Sequence, residues 1–483
     1  MLNRKKTNAI HIMLLFFLFC THSLCALNNN DNDNSDKNND DIQILLSGYL
    51  ENDITLKELA IQVRQAEIGM QRSKIQNGIS LDLSTGQFFI STNDSGSVFS
   101  VSPNAKISAP LLNNSSISLS ADADNNEDGT NLENIKATFS TAIIGNGVKK
   151  ARLAKIKAAR VLQEAERALH KRSKEAEKDF YTALGSVYES AVSVLTLEDD
   201  AYTKDIELQS VKIQGYDSMS VRYRTVQLEA QSKRREALMQ RREMDRKVLE
   251  FFKDCGAPEA QTLPVVFDDV SGLDDLADFS SLQQNNFTDI ESAKWNHYIG
   301  KLTRKADKTF ELSALGGITL NNRNFNKTTS ANAGLALSSA GVNVTTAIEI
   351  PLESAKKPGF TFSVGLNLNN LRLSFLDKKD KLLTEESELL AIAKAEKKWS
   401  DTAFTMDTTR TTLLWEKQER AEEADLYKKL AADTTEYFKN GIVNESDYKN
   451  ALSNAQRAQY QCLLTDIKIV KHLIDYSLYF TEE

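Results

Sequence analysis

Phe360-Thr361-Phe362-Ser363-Val364-Gly365-Leu366-Asn367-Leu368 alternates apolar and polar side chains without a break, and residues 377–483 that follow hold no proline and one glycine, Gly441. A period of two puts Phe360, Phe362, Val364, Leu366 and Leu368 on one face of a strand and Thr361, Ser363, Gly365 and Asn367 on the other. Proline costs about 3 kcal/mol inside a helix, so the window after the strand is free to run as very long helices. The alternation slips at Asn369 and Asn370 and resumes with Leu371, Leu373 and Phe375. That slip predicts a β-bulge and strands that continue to residue 376.

The same unit occurs earlier in the chain. Ile79, Leu81 and Leu83 alternate with Ser80, Asp82 and Ser84, and Ile117 and Leu119 alternate with Ser118 and Ser120. Residues 149–254 then hold no proline and only Gly185 and Gly215. Within them Leu162, Ala165, Leu169, Ala176, Phe180, Leu184 and Val187 recur at helical spacing. Breaking each window at its tip glycine predicts helices over 149–213, 217–253, 377–439 and 444–480, the long ones about 95–100 Å. In the last of them Tyr448, Leu452, Ala455, Gln459, Cys462, Asp466, Ile469, Leu473 and Tyr476 form a single coiled-coil seam.

The order helix, strands, long helix, glycine turn, shorter helix therefore occurs twice, over residues 53–253 and 280–483, with strand sets at 79–144 and 309–376 and a linker or belt at 254–279. Duplication is the economical reading. The first set offers alternating stretches at about 79–91, 97–109, 115–123 and 134–144. Pro103 and Pro110 demote the middle two to edges or extensions. If the strands span a membrane, two spanning strands per half are expected, with four as the alternative. In a soluble sandwich the apolar faces would meet a second sheet, whereas in a membrane barrel they would face lipid, and periodicity alone does not choose.

Composition narrows the function classes. The chain has 483 residues, 41% hydrophobic and 26% charged, with a net charge of −8. That is a folded composition and a poor nucleic-acid binder. Arg4, Lys5 and Lys6 precede the apolar run Ile10 to Phe19, and Ser23, Cys25 and Ala26 follow it, the order of a secretory signal peptide over residues 1–26. Residues 27–52 open with an Asn/Asp-rich run and are expected to form a flexible leader. Beyond the signal only Cys255 and Cys462 remain, and Cys462 is expected to be a buried, inert thiol. His170, His297 and His472 form no metal-ligand motif. Gly145-Asn146-Gly147 is a turn between strand and helix, lacking the rest of a phosphate loop. Lys233, Arg234, Arg235, Arg241 and Arg242 read as a solvated helix face. No convergent polar constellation suggests an enzyme, and no cofactor is expected.

At this point the chain resembles the TolC family of outer-membrane efflux channels. Ser140-Thr141-Ala142-Ile143-Ile144-Gly145-Asn146-Gly147 is similar to the family's strand-to-helix signature, with Ala142 in place of proline. Phe438-Lys439-Asn440-Gly441-Ile442-Val443-Asn444-Glu445-Ser446-Asp447 is similar to its helix-tip motif, and the tip at Gly215 matches less well. The resemblance implies an α+β membrane protein: a homotrimer with a shared β-barrel in outer-membrane lipid, 12-stranded if each half spans twice and 24-stranded otherwise. It also implies an α-helical coiled-coil barrel extending into the periplasm. A periplasmic adaptor and an inner-membrane pump would be its partners. At the tips the family places constricting carboxylates, so Asp447 is the candidate gate residue, with Asn450 and Val221 standing where others are expected. A periplasmic adaptor or a coiled-coil surface protein is the alternative.

Overall fold

A computed structural model describes residues 35–480 apart from 87, 94–95, 111–113, 127–128, 258–262, 264–272, 274–277, 308–309, 324–325 and 354–356. The expected signal peptide and the first part of the expected leader lie outside the described residues. The helices are α1 (Ser35–Asn52), α2 (Ile54–Gln76), α3 (Gly147–Ile213), α4 (Val221–Asp254), α5 (Thr288–Ala306), α6 (Leu368–Lys439) and α7 (Glu445–Leu478). With 67 and 72 residues, α3 and α6 are each about 100 Å long. The start of α2 is chemically defined. Asp53 caps α2 by accepting the Thr55 and Leu56 N–H groups at 2.7 and 3.2 Å, and Arg172 pairs with the same carboxylate at 2.7 Å.

Two expectations about these helices are corrected. Leu371, Leu373 and Phe375 are helical, because α6 begins at Leu368 and not at residue 377. The apparent bulge is a helix start: the Asn367 side chain accepts the Asn370 N–H at 3.1 Å, a cap that turns a leucine-rich run into a first helical turn. The flexible leader expected over 27–52 is a helix from Ser35 onwards. Ile42 and Leu45 are buried against Phe180, Phe251 and Cys255, and a Cβ at Gly48 would lie 2.1 Å from the Cys255 carbonyl oxygen. The Asn/Asp run hides these apolar anchors in the sequence.

The strands form one antiparallel sheet. β1 (Ser80–Ser84), β4 (Asn104–Ala109), β5 (Ser115–Asn126), β6 (Gly129–Ile144), β7 (Glu311–Arg323), β8 (Asn326–Ser339), β9 (Val342–Pro351) and β10 (Gly359–Leu366) lie in the order β1-β4-β5-β6-β7-β8-β9-β10, and the hairpin β2 (Phe88–Asn93) and β3 (Gly96–Val101) prolongs β1 and β4 outwards. The sheet is thus eight strands wide, four from each half. β4 and β5, from the stretches expected as edges or extensions because of Pro103 and Pro110, therefore lie inside the ladder, which corrects that expectation. Pro103 falls between β3 and β4, where it has no N–H to lose, and its carbonyl still accepts the Ala121 N–H at 3.1 Å. Both flanking segments pair with β5, so the ladder passes the proline.

The two faces of the sheet differ sharply. Leu81, Leu83, Ile117, Phe139, Leu335, Phe360 and Phe362 are all exposed, so among the described residues no second sheet covers the apolar face. On the other face hydroxyls pair across strands: Ser118 with Thr138 at 2.5 Å, Ser116 with Ser140 at 2.9 Å, and Thr345 with Ser363 at 2.6 Å.

Below the sheet the helices line up side by side. Next to the sheet the order is α2-α3-α5-α6, and farther away it is α4-α3-α7-α6. Where the two layers meet, Phe180, Leu184, Val187 and Tyr188 of α3 pack with Phe251 and Phe252 of α4 and with Leu463, Ile467 and Val470 of α7. Because α7 lies between α3 and α6, it buries more than the single seam expected. Ala451, Ala458, Leu463 and Ile467 are buried, while Leu452 of the expected seam is exposed. Of the segment that follows α4, Cys255, Ala257 and Leu263 pack on the core around Phe180, whereas Leu273 and Phe279 dock on α6, where Asp407 accepts the Phe279 and Ser280 N–H groups at 2.7 and 3.2 Å.

Candidate functional site

The sequence singled out two helix tips, and the structure places them side by side at the end of the molecule away from the sheet. Gly441 (φ 71°) and Gly215 (φ 79°) adopt left-handed backbone after α6 and α3, where a side chain would be strained. After Gly441 the chain is held by Phe438 stacked on Tyr448, with ring centroids 4.6 Å apart and planes at 3°. Asn444 then caps α7 by accepting the Asp447 N–H at 2.8 Å. Asp447 and Glu445 occupy the first turn, where the helix dipole favours a carboxylate, and Asp447 is exposed. Asn450 is half-buried.

The first tip is built differently. Asp217 accepts the Met219 N–H at 2.7 Å, and the helix cap is Ser220, which accepts the Tyr223 N–H at 3.3 Å. The cap follows its glycine by five residues here and by three after Gly441. Counting from the caps, Tyr223 is the counterpart of Asp447, and Val221, fully exposed as the first helical residue, is the counterpart of Glu445. Counting from the glycines instead would set Val221 opposite Asp447. The difference in loop length could not be read from the glycine spacing alone.

Contacts between the hairpins hold the tips together. Lys449 lies over the Tyr202 ring at 4.3 Å, and Asp199 accepts from Ser453 at 2.6 Å and from Arg457 at 2.5 Å. No local pattern announced these pairs, since their members lie more than 240 residues apart. Three members of the basic run pair within their own hairpin: Lys233 with Glu236 at 3.0 Å, Arg234 with Asp205 at 2.8 Å and Arg241 with Glu198 at 3.2 Å. Removing the second-tip cap by Asn444→Ala is expected to cost the first turn of α7 about 1 kcal/mol of local stability, without changing global unfolding. Hydrogen exchange will show this as faster exchange confined to residues 442–450, with the melting temperature unchanged.

At the sheet end, the glycines of the strand-to-helix turn are closely approached. A Cβ at Gly147 would sit 2.4 Å from the Asn114 side chain, and one at Gly145 would sit 2.8 Å from the Ala142 Cβ. The turn is a close-packed corner with no room for a phosphate.

Between the ends, two carboxylates tie neighbouring helices. Glu291 of α5 receives both terminal nitrogens of Arg160 at 2.6 and 2.9 Å and Arg167 at 2.8 Å. The Arg160 and Arg167 hydrogen bonds hold its carboxyl below the usual range against the opposing effect of burial. Glu388 of α6 receives Arg304 at 2.7 and 2.8 Å and contacts His297 at 3.0 Å, and hydrogen bonding from Arg304 likewise lowers its pKa. His472 is buried, and desolvation lowers its pKa. Both thiols are free. Burial pushes Cys255 up to about 12, and it also raises half-buried Cys462, whose Sγ donates to the Arg420 carbonyl at 3.1 Å. Among the described residues there is no cluster of three or more His, Cys, Asp or Glu able to hold a metal, and no helix is long and apolar enough to cross a membrane.

Residues 45–279 match the family model described as TP096X N-terminal domain, and residues 273–483 match the one described as TP096X C-terminal domain. No curated protein matches the sequence. Among solved structures, the outer membrane protein VceC of Vibrio cholerae is similar at 11% identity and a TM-score of 0.50, covering 92% of this chain and 97% of that one. The outer-membrane channel OprN is 10% identical over 92% of each chain, with a TM-score of 0.48. The open state of the Neisseria gonorrhoeae MtrE outer membrane channel is 13% identical over 90% of this chain and 88% of that one, with a TM-score of 0.45.

Proposed function

From a chain with the TolC-like fold of VceC, whose two halves match the TP096X domains, we propose an outer-membrane channel that passively conducts solutes from the periplasm to the exterior. It is the exit duct of a tripartite efflux or type I secretion system. Three copies form the duct, and a periplasmic adaptor joins the helix tips to an inner-membrane pump.

The observation that carries this reading is the two-faced sheet with free edges. A contiguous exposed face of Leu, Ile and Phe is unstable in water and at home in hydrocarbon, while the hydroxyl face suits a wet lumen. An open edge cannot face lipid with its N–H and C=O groups unpaired, so the sheet must close with other copies. Protein extracted in detergent and added to planar bilayers is expected to give stable conductance steps and to migrate as a heat-modifiable trimer. A detergent-free soluble monomer without conductance would overturn the reading.

The exposed acids of the second tip narrow the proposal. Three copies of Asp447 around one axis would form a ring of like charge that binds divalent cations. Asp447→Asn is therefore expected to relieve block by a divalent cation applied on the tip side. Identical conductance and block in both proteins would make Asp447 an ordinary first-turn residue.

A further inference from the structure

The sheet and the helical layer end on the same two pairs of elements. At one side of the chain lie α2 and β1, and at the other lie α6 and β10. Each helix runs straight into or out of its strand: α2 ends at Gln76 before β1 starts at Ser80, and β10 ends at Leu366 before α6 starts at Leu368. With eight strands across the sheet, β1 leaves the helices and β10 returns to them, so β10 of one copy and β1 of the next meet antiparallel.

The exposed side chains of these two sides match in height. On α2, one stripe of Leu56, Val63, Ala66 and Met70 is at least half-buried, and on the opposite face Ile54, Ile61, Ile68 and Ile75 stand exposed at seven-residue intervals. On α6, Ile392, Ala395 and Trp399 face the chain's own helices, whereas Leu376, Leu383 and Leu390, flanked by Phe375, Leu382 and Leu389, are exposed. Counted from the sheet, Ile75 lies level with Leu368, Ile68 with Phe375 and Leu376, and Ile61 with Leu382 and Leu383. Ile54 lies level with Leu389 and Leu390, about 33 Å down at 1.5 Å per residue. Exposed Lys57 and Glu386 fall at nearly the same height. A seven-residue repeat is the spacing of a helix-to-helix seam. Within one chain α2 and α6 lie at opposite ends of the row, so the stripes have no mutual partner there.

We infer that the α2/β1 side of one copy packs against the α6/β10 side of the next, and that this single seam, repeated, closes a barrel of 24 strands. The inference rests on the trimeric channel reading above and departs from the 12 strands expected from two spanning strands per half. The partner is a second copy of this chain, because the interface is head-to-tail and its two halves are the two ends of one row. With strands about 4.8 Å apart and tilted near 40°, such a barrel is about 45–50 Å across, roughly twice the width that 12 strands would give. The narrow part of the duct then belongs to the helices and their tips.

Ile61→Cys and Leu383→Cys test the seam, since both positions are exposed in the single chain and neither substitution disturbs its packing. A short bismaleimide is expected to convert the double variant, purified in detergent, into covalent dimers and trimers on denaturing gels, with each single variant staying monomeric. A trimer by size that gives no cross-link overturns the seam alone. A chain that is monomeric in detergent and gives no cross-link overturns both the seam and the trimeric reading. The strand number is tested in liposomes with Ile107→Cys, on the apolar face of β4, and a water-soluble maleimide. Protection at least tenfold over the same protein in denaturant supports 24 strands, and free labelling places β4 outside the bilayer and overturns that number.

Discussion

Phe180→Ala is expected to destabilise the helical part by about 3–5 kcal/mol, the largest loss of any single truncation in the chain. Phe180 is fully buried and touches three rings: Tyr49 of α1 at 5.7 Å, its neighbour Tyr181 at 5.2 Å and Phe251 of α4 at 5.4 Å. It thus joins three helices at the level where the two layers meet. A cavity there cannot collapse without separating α1 from α3, so little of the cost is recovered by relaxation. Thermal melts followed by helical circular dichroism will show an early transition in Phe180→Ala. Leu452→Ala, at an exposed site on α7, is expected to stay within about 0.5 kcal/mol of the parent.

Arg160→Ala comes second, at about 2–4 kcal/mol, because it removes a 5%-exposed guanidinium and strips its bidentate partner from the three-quarters buried Glu291. The same side chain lies over the Trp295 ring at 4.9 Å, so packing between α3 and α5 is lost with the charge. Arg167 remains on Glu291 at 2.8 Å, which keeps the figure below that of a fully orphaned buried charge. The pair also sets a pH dependence. The folded pKa of Glu291 is depressed, so its contribution is complete above the unfolded carboxylate value of about 4.3 and is lost as pH falls through the folded value. Glu388, lowered mainly by Arg304, acts with the same sign. Denaturant titrations are expected to show the parent losing stability below about pH 4.3, with a shallower loss in Arg160→Ala. Parallel slopes would show that Glu291 gains nothing from the pair.

The sequence made legible the features that rest on local chemistry. Alternation at residues 79–84 and 360–366 marked strands, the absence of proline marked α3 and α6, and Gly215 and Gly441 marked the tips. The start of α6 was misread because Leu371, Leu373 and Phe375 fit a period of two as well as they fit a first helical turn, and only the Asn367 cap distinguishes them. The middle stretches of the first half were misread as edges because a proline between two ladder segments looks, in one dimension, like a proline within an edge strand. At the candidate site, Gly441 marked the turn between α6 and α7, whereas the Asn444 cap emerges only from the structure. Asp199 with Arg457 and Arg160 with Glu291 left no trace, since a pair formed across more than a hundred residues imposes no period on either segment.

The positions of the two longest helices set the order in which the protein can be completed. At every height α3 has helices of its own chain on both sides, and it buries 15 residues, whereas α6 has one on a single side and buries 6. The α3 half therefore gains most of its packing energy within one polypeptide, at a rate independent of how much protein is present. The outer face of α6 gains its share only when another copy arrives, and that share scales with protomer concentration. Core substitutions on α3 should then reduce folded protein equally at all expression levels. Substitutions at Leu376, Leu383 or Leu390 should be severe when the protein is scarce and mild when it is abundant.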